Sequence, residues 1–417
     1  MAGLFTRRCL IILAAALACL LSTAPAPARC CPFCGMQGQT LTGDIDQASM
    51  VVVGTMTNAK LAAADTLEGT TDLVIESVIK KHEIIDGKKV VTLPKYIPGE
   101  DKKYKFLVFC DVFKGKIDPY RGVAVKADCD VASYVEGALK VKDKKPAERL
   151  AYFFKYLDSP EIEVSNDAYK EFGNADYKDY KDMAKDLPAE TLAKWLKDPN
   201  TPAFRYGLYA SMLGHCGKPE HAKLLRAMLD DPEKKLVTGA DGILAGYILL
   251  EPKEGWDYLR SILKDEKKEF TQRYAALRAA RFFHDSRSDV IPHDDVTAAV
   301  ALLLDESDIA DLAIEDLRKW GCWNMTEQVL ALYGKKSHDV PIIRRSILRF
   351  ALSARDLNAD GSVNAAKPNP KAAAFVAELR KKDKEMVESA EELLRLETTP
   401  VTPPAPKPGE PRTGGGK

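Results

Sequence analysis

The chain has 417 residues, with 61 Lys+Arg against 61 Asp+Glu, so it is formally neutral, and 46% of its residues are apolar. That balance excludes a largely disordered chain. Without a cationic surplus it also argues against nucleic acid as the main partner.

Residues 1–28 read as a secretory leader. Arg7 and Arg8 form a positive start, Cys9 to Leu21 an apolar core too short to span a bilayer, and Ala24-Pro25-Ala26 and Ala26-Pro27-Ala28 two small-residue cleavage motifs. Thr6-Arg7-Arg8 resembles the opening of a twin-arginine signal, which implies export after folding. Ala16-Leu17-Ala18-Cys19 departs from a lipobox, because no Leu stands three residues before the Cys. Cleavage after residue 28 leaves 59 basic and 61 acidic residues, a charge of −2. No later stretch has the apolar length of a membrane helix.

Residues 29–130 are expected to form a small β-domain. Met50-Val51-Val52-Val53 is a short strand ending at Gly54, Leu73 to Ile79 alternates, and Val90 to Leu93 stops at Pro94. Phe106 to Phe113 is closed by Gly115, and Val123-Ala124-Val125 follows. Closely spaced strands with Gly and Pro punctuation predict a small barrel or sandwich. From Pro146 to residue 396 the pattern becomes helical. Thr201–Leu213 pairs with Lys218–Leu229, Thr238–Leu250 with Pro252–Leu263, and Glu269–Phe283 with His293–Leu304. Ser307–Trp320 pairs with Thr326–Tyr333, and Val340–Ala354 with Pro370–Leu396. The first helices of the pairs start about 35 residues apart, and each carries one apolar stripe, such as Leu224, Leu225, Met228 and Leu229. A single pair cannot bury its stripe, whereas stacked neighbours can, which predicts a mostly α protein built as an α-solenoid. Residues 397–417 are Pro- and Gly-rich and read as a disordered tail.

Three resemblances follow. The β segment, with cysteines near its start, resembles the OB-type barrels of netrin-like domains. The helix pairs, with stops such as Leu213-Gly214-His215-Cys216-Gly217, resemble HEAT repeats. Cys31-Pro32-Phe33-Cys34, Asp167 to Phe172 and Trp195 to Gly217 together resemble an uncharacterised family of exported planctomycete-type proteins, which implies this domain layout and no chemistry.

Seven cysteines follow the leader, five of them early: Cys30, Cys31, Cys34, Cys110 and Cys129. An oxidising compartment favours disulfides among these, and the odd total leaves at least one thiol unless chains pair. One reading of Cys31-Pro32-Phe33-Cys34 is a structural anchor, with these cysteines bonded to Cys110 and Cys129 so that the N-terminal arm is pinned to the barrel. The others are a glutaredoxin-like redox dithiol, although no strand precedes it, and a thiolate metal site.

Asp356, Asn358, Asp360, Ser362 and Asn364 follow D-x-N-x-D-G-x-V-N, which resembles the calcium loop of EF-hands and dockerins, with Gly361 at the sharp turn. Lys367 stands where a bidentate Glu belongs, so a plain helix-connecting loop competes with calcium. His215, Cys216 and His221 surround one turn but lack further ligands, and His284-Asp285-Ser286 and His293-Asp294-Asp295 lack any hydrolase signature. Tyr169, Phe172, Tyr177 and Tyr180 read either as inter-helix core or as a peptide-binding face. Lys140–Lys145 and Arg380–Lys384 are interleaved with acids and read as solvated faces.

The expected function is an exported, non-catalytic scaffold that presents a helical-repeat surface to a protein or peptide partner in the cell envelope. No cofactor is expected unless calcium binds. The alternatives are a thiol-redox protein using Cys31 and Cys34 and a calcium-modulated assembly protein.

Overall fold

In a computed structural model the described residues are 31–62, 69–97, 103–231, 238–356 and 369–398, with only the backbone for Arg355, Asp356 and Thr398. The expected leader, Cys30, residues 357–368 and the tail from 399 onward lie outside them.

The described residues are mostly helical, with one small antiparallel sheet. Helix α1 (Leu41–Gln47) leads into β1 (Met50–Leu61), β2 (Gly69–Lys80), β3 (Val90–Leu93), β4 (Tyr104–Phe113) and β5 (Lys116–Lys126). Then come α2 (Val131–Val141), α3 (Pro146–Phe154), α4 (Ile162–Asn174), α5 (Tyr177–Tyr180), α6 (Ala189–Lys197), α7 (Tyr206–Cys216), α8 (Pro219–Asp230), α9 (Ala240–Leu250) and α10 (Pro252–Lys264). The last are α11 (Phe270–Ser286), α12 (His293–Ala301), α13 (Ala310–Lys319), α14 (Thr326–Leu330), α15 (Pro341–Asp356), α16 (Pro370–Lys382) and α17 (Lys384–Thr398).

The five strands run in the order β3-β2-β1-β4-β5. The strand expected to end at Gly54 continues to Leu61. A side chain at Gly54 would meet the Val74 carbonyl at 2.1 Å, so glycine there lets β2 lie close across an irregular register. Lys114 and Gly115 both have positive φ, as a two-residue hairpin turn between β4 and β5 requires. The two edge strands come near each other: Lys95, just after β3, donates to the Pro119 carbonyl in β5 at 2.6 Å.

Met50, Val52, Leu73, Leu93, Val108 and Cys110 form a core on one face. The alternate residues Val51, Val53, Leu107, Phe109 and Val125 are buried too. On that second face Arg121 pairs with Asp44 of α1 and covers the Phe109 ring. Lys80 donates to the Ile45 and Asp46 carbonyls at the end of α1, where the helix dipole favours a cation. Burial of both faces explains the unbroken apolar run from Met50 to Val53.

The chain divides into two compact units, one ending at Gly255 and one starting at Trp256. The sheet therefore shares a unit with the helices through α9. In the first unit α7 lies directly beside α9, with α8 packed on α9. A Cβ on Gly242 would fall 2.3 Å from the Gly207 carbonyl, and one on Gly246 2.2 Å from that of Ala210. In the second unit α13 packs on α15 and α15 on α17, so these alternate helices are neighbours in space. The single helix expected over Pro370–Leu396 is two, because Asp383 interrupts it and its carboxylate caps α17 through the Met386 N–H at 3.0 Å.

Gly242→Ala tests the α7–α9 contact. The added methyl meets backbone, which cannot rotate away, so urea unfolding should show a loss of about 1–3 kcal/mol. An unchanged midpoint would mean that the helices are not in contact there.

Candidate functional site

Residues 31–40 precede α1 as an arm with no helix or strand of its own, laid along α4 and α7. Two glycines make room for its backbone. A Cβ on Gly173 of α4 would meet the Met36 carbonyl at 2.1 Å, and one on Gly207 of α7 the Phe33 carbonyl at 2.8 Å. Phe33 is buried at 3% exposure, whereas Gly35, Gln37 and Gly38 remain at the surface.

Side chains of α4 hold the arm through its main chain. Tyr169 Oη accepts the Gly35 N–H at 3.1 Å and donates to the Phe204 carbonyl at 2.9 Å. The Asn174 amide clamps Gly38 both ways, accepting its N–H at 3.1 Å and donating to its carbonyl at 2.8 Å. Asp167 Oδ1 accepts the Leu41 N–H at 2.7 Å, and its other oxygen accepts the Tyr134 hydroxyl of α2 at 2.7 Å. Asp167, Glu171 and Asn174 are spaced four and three residues apart, which aligns them on one helix face. Below the arm, Arg205 is buried and donates to the Leu157 carbonyl, Ser165 Oγ and Asn166 Oδ1 at 2.7, 3.0 and 2.8 Å. It fixes the start of α7 against α4.

Burial raises the Asp167 carboxyl above its ordinary range, and the Leu41 N–H and Tyr134 hydroxyl offset only part of that. Burial also raises Glu171, opposed by a hydrogen bond from Thr40, with the Asp167 charge adding and Arg149 offsetting. Burial pushes the Tyr169 hydroxyl up to about 12, so it stays protonated and can donate to Phe204.

The cysteines differ from the expected anchor. Cys31 and Cys34 are bonded to each other, while Cys110 and Cys129 are free thiols. The cause is position: Cys31 lies beside Tyr180, with Sγ 3.8 Å from its hydroxyl, so the arm is fastened to helices. Cys110 points into the sheet core, where burial and then Asp118 and Asp111 push its thiol up to about 12. Cys129 is partly exposed, and burial followed by the Glu161 charge raises its pKa. Cys30 lies outside the described residues.

Tyr169, Phe172, Tyr177 and Tyr180 are all buried, so they form no exposed face; Tyr169 and Tyr180 instead touch the arm from beneath. His215 faces the Tyr177 hydroxyl at 3.0 Å, Cys216 donates to the Met212 carbonyl, and His221 Nδ1 accepts the Lys218 N–H at 2.9 Å. The three are thus engaged apart. His284 stacks on Trp320 with ring centres 3.9 Å apart, and His293 donates to the His284 carbonyl. Among the described residues no group of three or more His, Cys, Asp or Glu could hold a metal ion. The loop of Asn358, Asp360, Ser362 and Asn364, and the Asp356 side chain, lie outside the described residues. No described helix is long and apolar enough to cross a membrane.

The sequence reading missed the polar row of α4. The available signal was Asp167, Glu171 and Asn174 at helical spacing, with Gly173 beside them. No protein-family model, curated protein or solved structure matches the chain.

The raised Asp167 carboxyl holds its proton to higher pH when folded than when unfolded. It therefore favours the folded state at acid pH, and that contribution fades as pH rises through the raised value. Asp167→Asn keeps an acceptor for Leu41 but cannot ionise. Between about pH 4 and pH 7 its urea midpoint should gain on that of the wild type. Parallel curves would show that Asp167 does not titrate in a buried site.

Proposed function

We propose that the chain is an exported, non-catalytic scaffold whose stacked helix pairs take an extended segment of a protein or peptide partner in the cell envelope. The observation that carries this is the grip of α4 and α7 on residues 31–40. Gly35, Gly38 and Leu41 are held by their main-chain groups, and two glycines clear space for the main chain. Recognition of that kind reads an extended backbone more than a sequence, and a partner segment can take the same groove when the arm leaves it. The side-by-side packing of alternate helices within each unit supports HEAT-like stacking. The near approach of β3 and β5 supports an OB-like barrel. Export is supported by the leader pattern of residues 1–28 and by an oxidised cysteine pair just beyond it. That pair is buried within the arm, which favours a staple over a redox catalyst, whose attacking sulfur must be exposed.

The test is affinity capture from the native envelope with the chain from residue 29 onward as bait, followed by amine cross-linking. A stoichiometric partner should cross-link through Lys170 of α4, whose charge acts on Asp167. Tyr169→Phe and Asn174→Ala, each removing hydrogen bonds worth about 1 kcal/mol, should shift partner retention several-fold. No stoichiometric partner, or cross-links only to other helices, would overturn the proposal.

A further inference from the structure

We infer that the Cys31–Cys34 disulfide is a redox latch that keeps the arm in its groove and opens it to a partner when reduced. The inference rests on the groove being the partner site and names its regulation.

The bond closes a four-residue ring where the described arm begins. Pro32 and Phe33 lie inside the ring, and the Cys34 N–H meets the Cys31 carbonyl at 3.4 Å in a turn. The ring presents three features at once: the Phe33 carbonyl over Gly207, the Phe33 side chain in a buried position, and Cys31 Sγ against Tyr180. Beyond the ring the arm is held by the Gly35 and Gly38 bonds, by the Met36 carbonyl against Gly173 and by the Thr40 hydrogen bond to Glu171, before Asp167 takes the start of α1. Gly38, at φ +125° with nothing within 4 Å of a built Cβ, is a place where the backbone can turn as the arm lifts.

An open chain must find the ring geometry among many others, and the disulfide removes that cost. The chemistry is a dithiol exchange. A thiolate of the reductant attacks Cys34, which is 9% exposed against 2% for Cys31. The Cys31–Cys34 bond breaks, and the Cys31 sulfur leaves and takes a proton. The second thiol of the reductant then resolves the mixed disulfide and frees Cys34 as a thiol. Two electrons and two protons pass to the pair, and the reductant becomes a disulfide. The other described cysteines are already thiols, so reduction changes this bond alone among them.

Hydrogen exchange on the full chain reads the latch directly, because the Gly35 and Gly38 amides are bonded only while the arm is docked onto Tyr169 and Asn174. With dithiothreitol as the dithiol, protection of these two amides should fall about 20-fold, the entropy cost of leaving a four-residue ring open. Amides inside α4 should keep their protection. Cys31→Ser/Cys34→Ser should exchange at the reduced rate with or without dithiothreitol. Unchanged protection after complete reduction, shown by a two-hydrogen mass gain, would overturn the latch; so would a bond that resists dithiothreitol in the folded chain. Arm release with no partner retained in the capture experiment would support the latch and remove only the partner reading. The wild-type comparison stands alone should the double variant fail to fold.

Discussion

Asp167 is the side chain on which the first unit depends. One carboxylate, buried to 4% exposure, takes the N–H at the start of α1 with one oxygen and the α2 hydroxyl of Tyr134 with the other. Helices α1 and α2 flank the sheet in sequence, and α4 carries the carboxylate. The entry to the sheet and the exit from it are thus fixed to the same helix. A buried carboxylate without partners costs several kcal/mol. Two charge-assisted bonds reduce that cost without abolishing it, which is why its proton is held more tightly than usual.

The second face of the sheet follows from this. Once α1 and α2 are tied to α4, Val51, Val53, Leu107 and Phe109 are covered, and Arg121 finds Asp44 across the seam. The Lys126 N–H meets Glu161 just before α4 at 2.9 Å, a third link between the end of β5 and the helices. A sheet covered on both sides has no reason to fold as a free domain, so the first unit runs without a break to Gly255.

Most element positions were legible because apolar spacing carries them. The run Val90–Leu93 is a strand with the same bounds, and the helix pairs from Thr201 to Phe283 fall within a few residues of α7 to α11. Two kinds of feature were not legible. One is backbone approach: Gly54, read as a strand end, and Gly173 and Gly207 on their helices each admit a carbonyl that only a fold can place. The other is polar burial. Asp167, Glu171 and Asn174 look like a solvated helix face, since acids and amides are usually outside. What reverses that reading is the arm, whose main chain offers donors that the sequence does not advertise.

The disulfide pairing shows the same limit. Spacing allowed Cys31 and Cys34 to bond either to each other or across to Cys110 and Cys129, and the deciding fact is where the arm lies. Held by Tyr169 and Asn174, it runs along helices, and Cys110 is enclosed among Met50, Val52 and Val108 in the sheet core. A long-range bond would have to pull either the arm off α4 or Cys110 out of that core. A local bond asks for neither, and it stiffens the segment whose carbonyls must meet two glycines. The arm is therefore stiffened at its Cys31–Cys34 turn and anchored by one buried aromatic ring, that of Phe33.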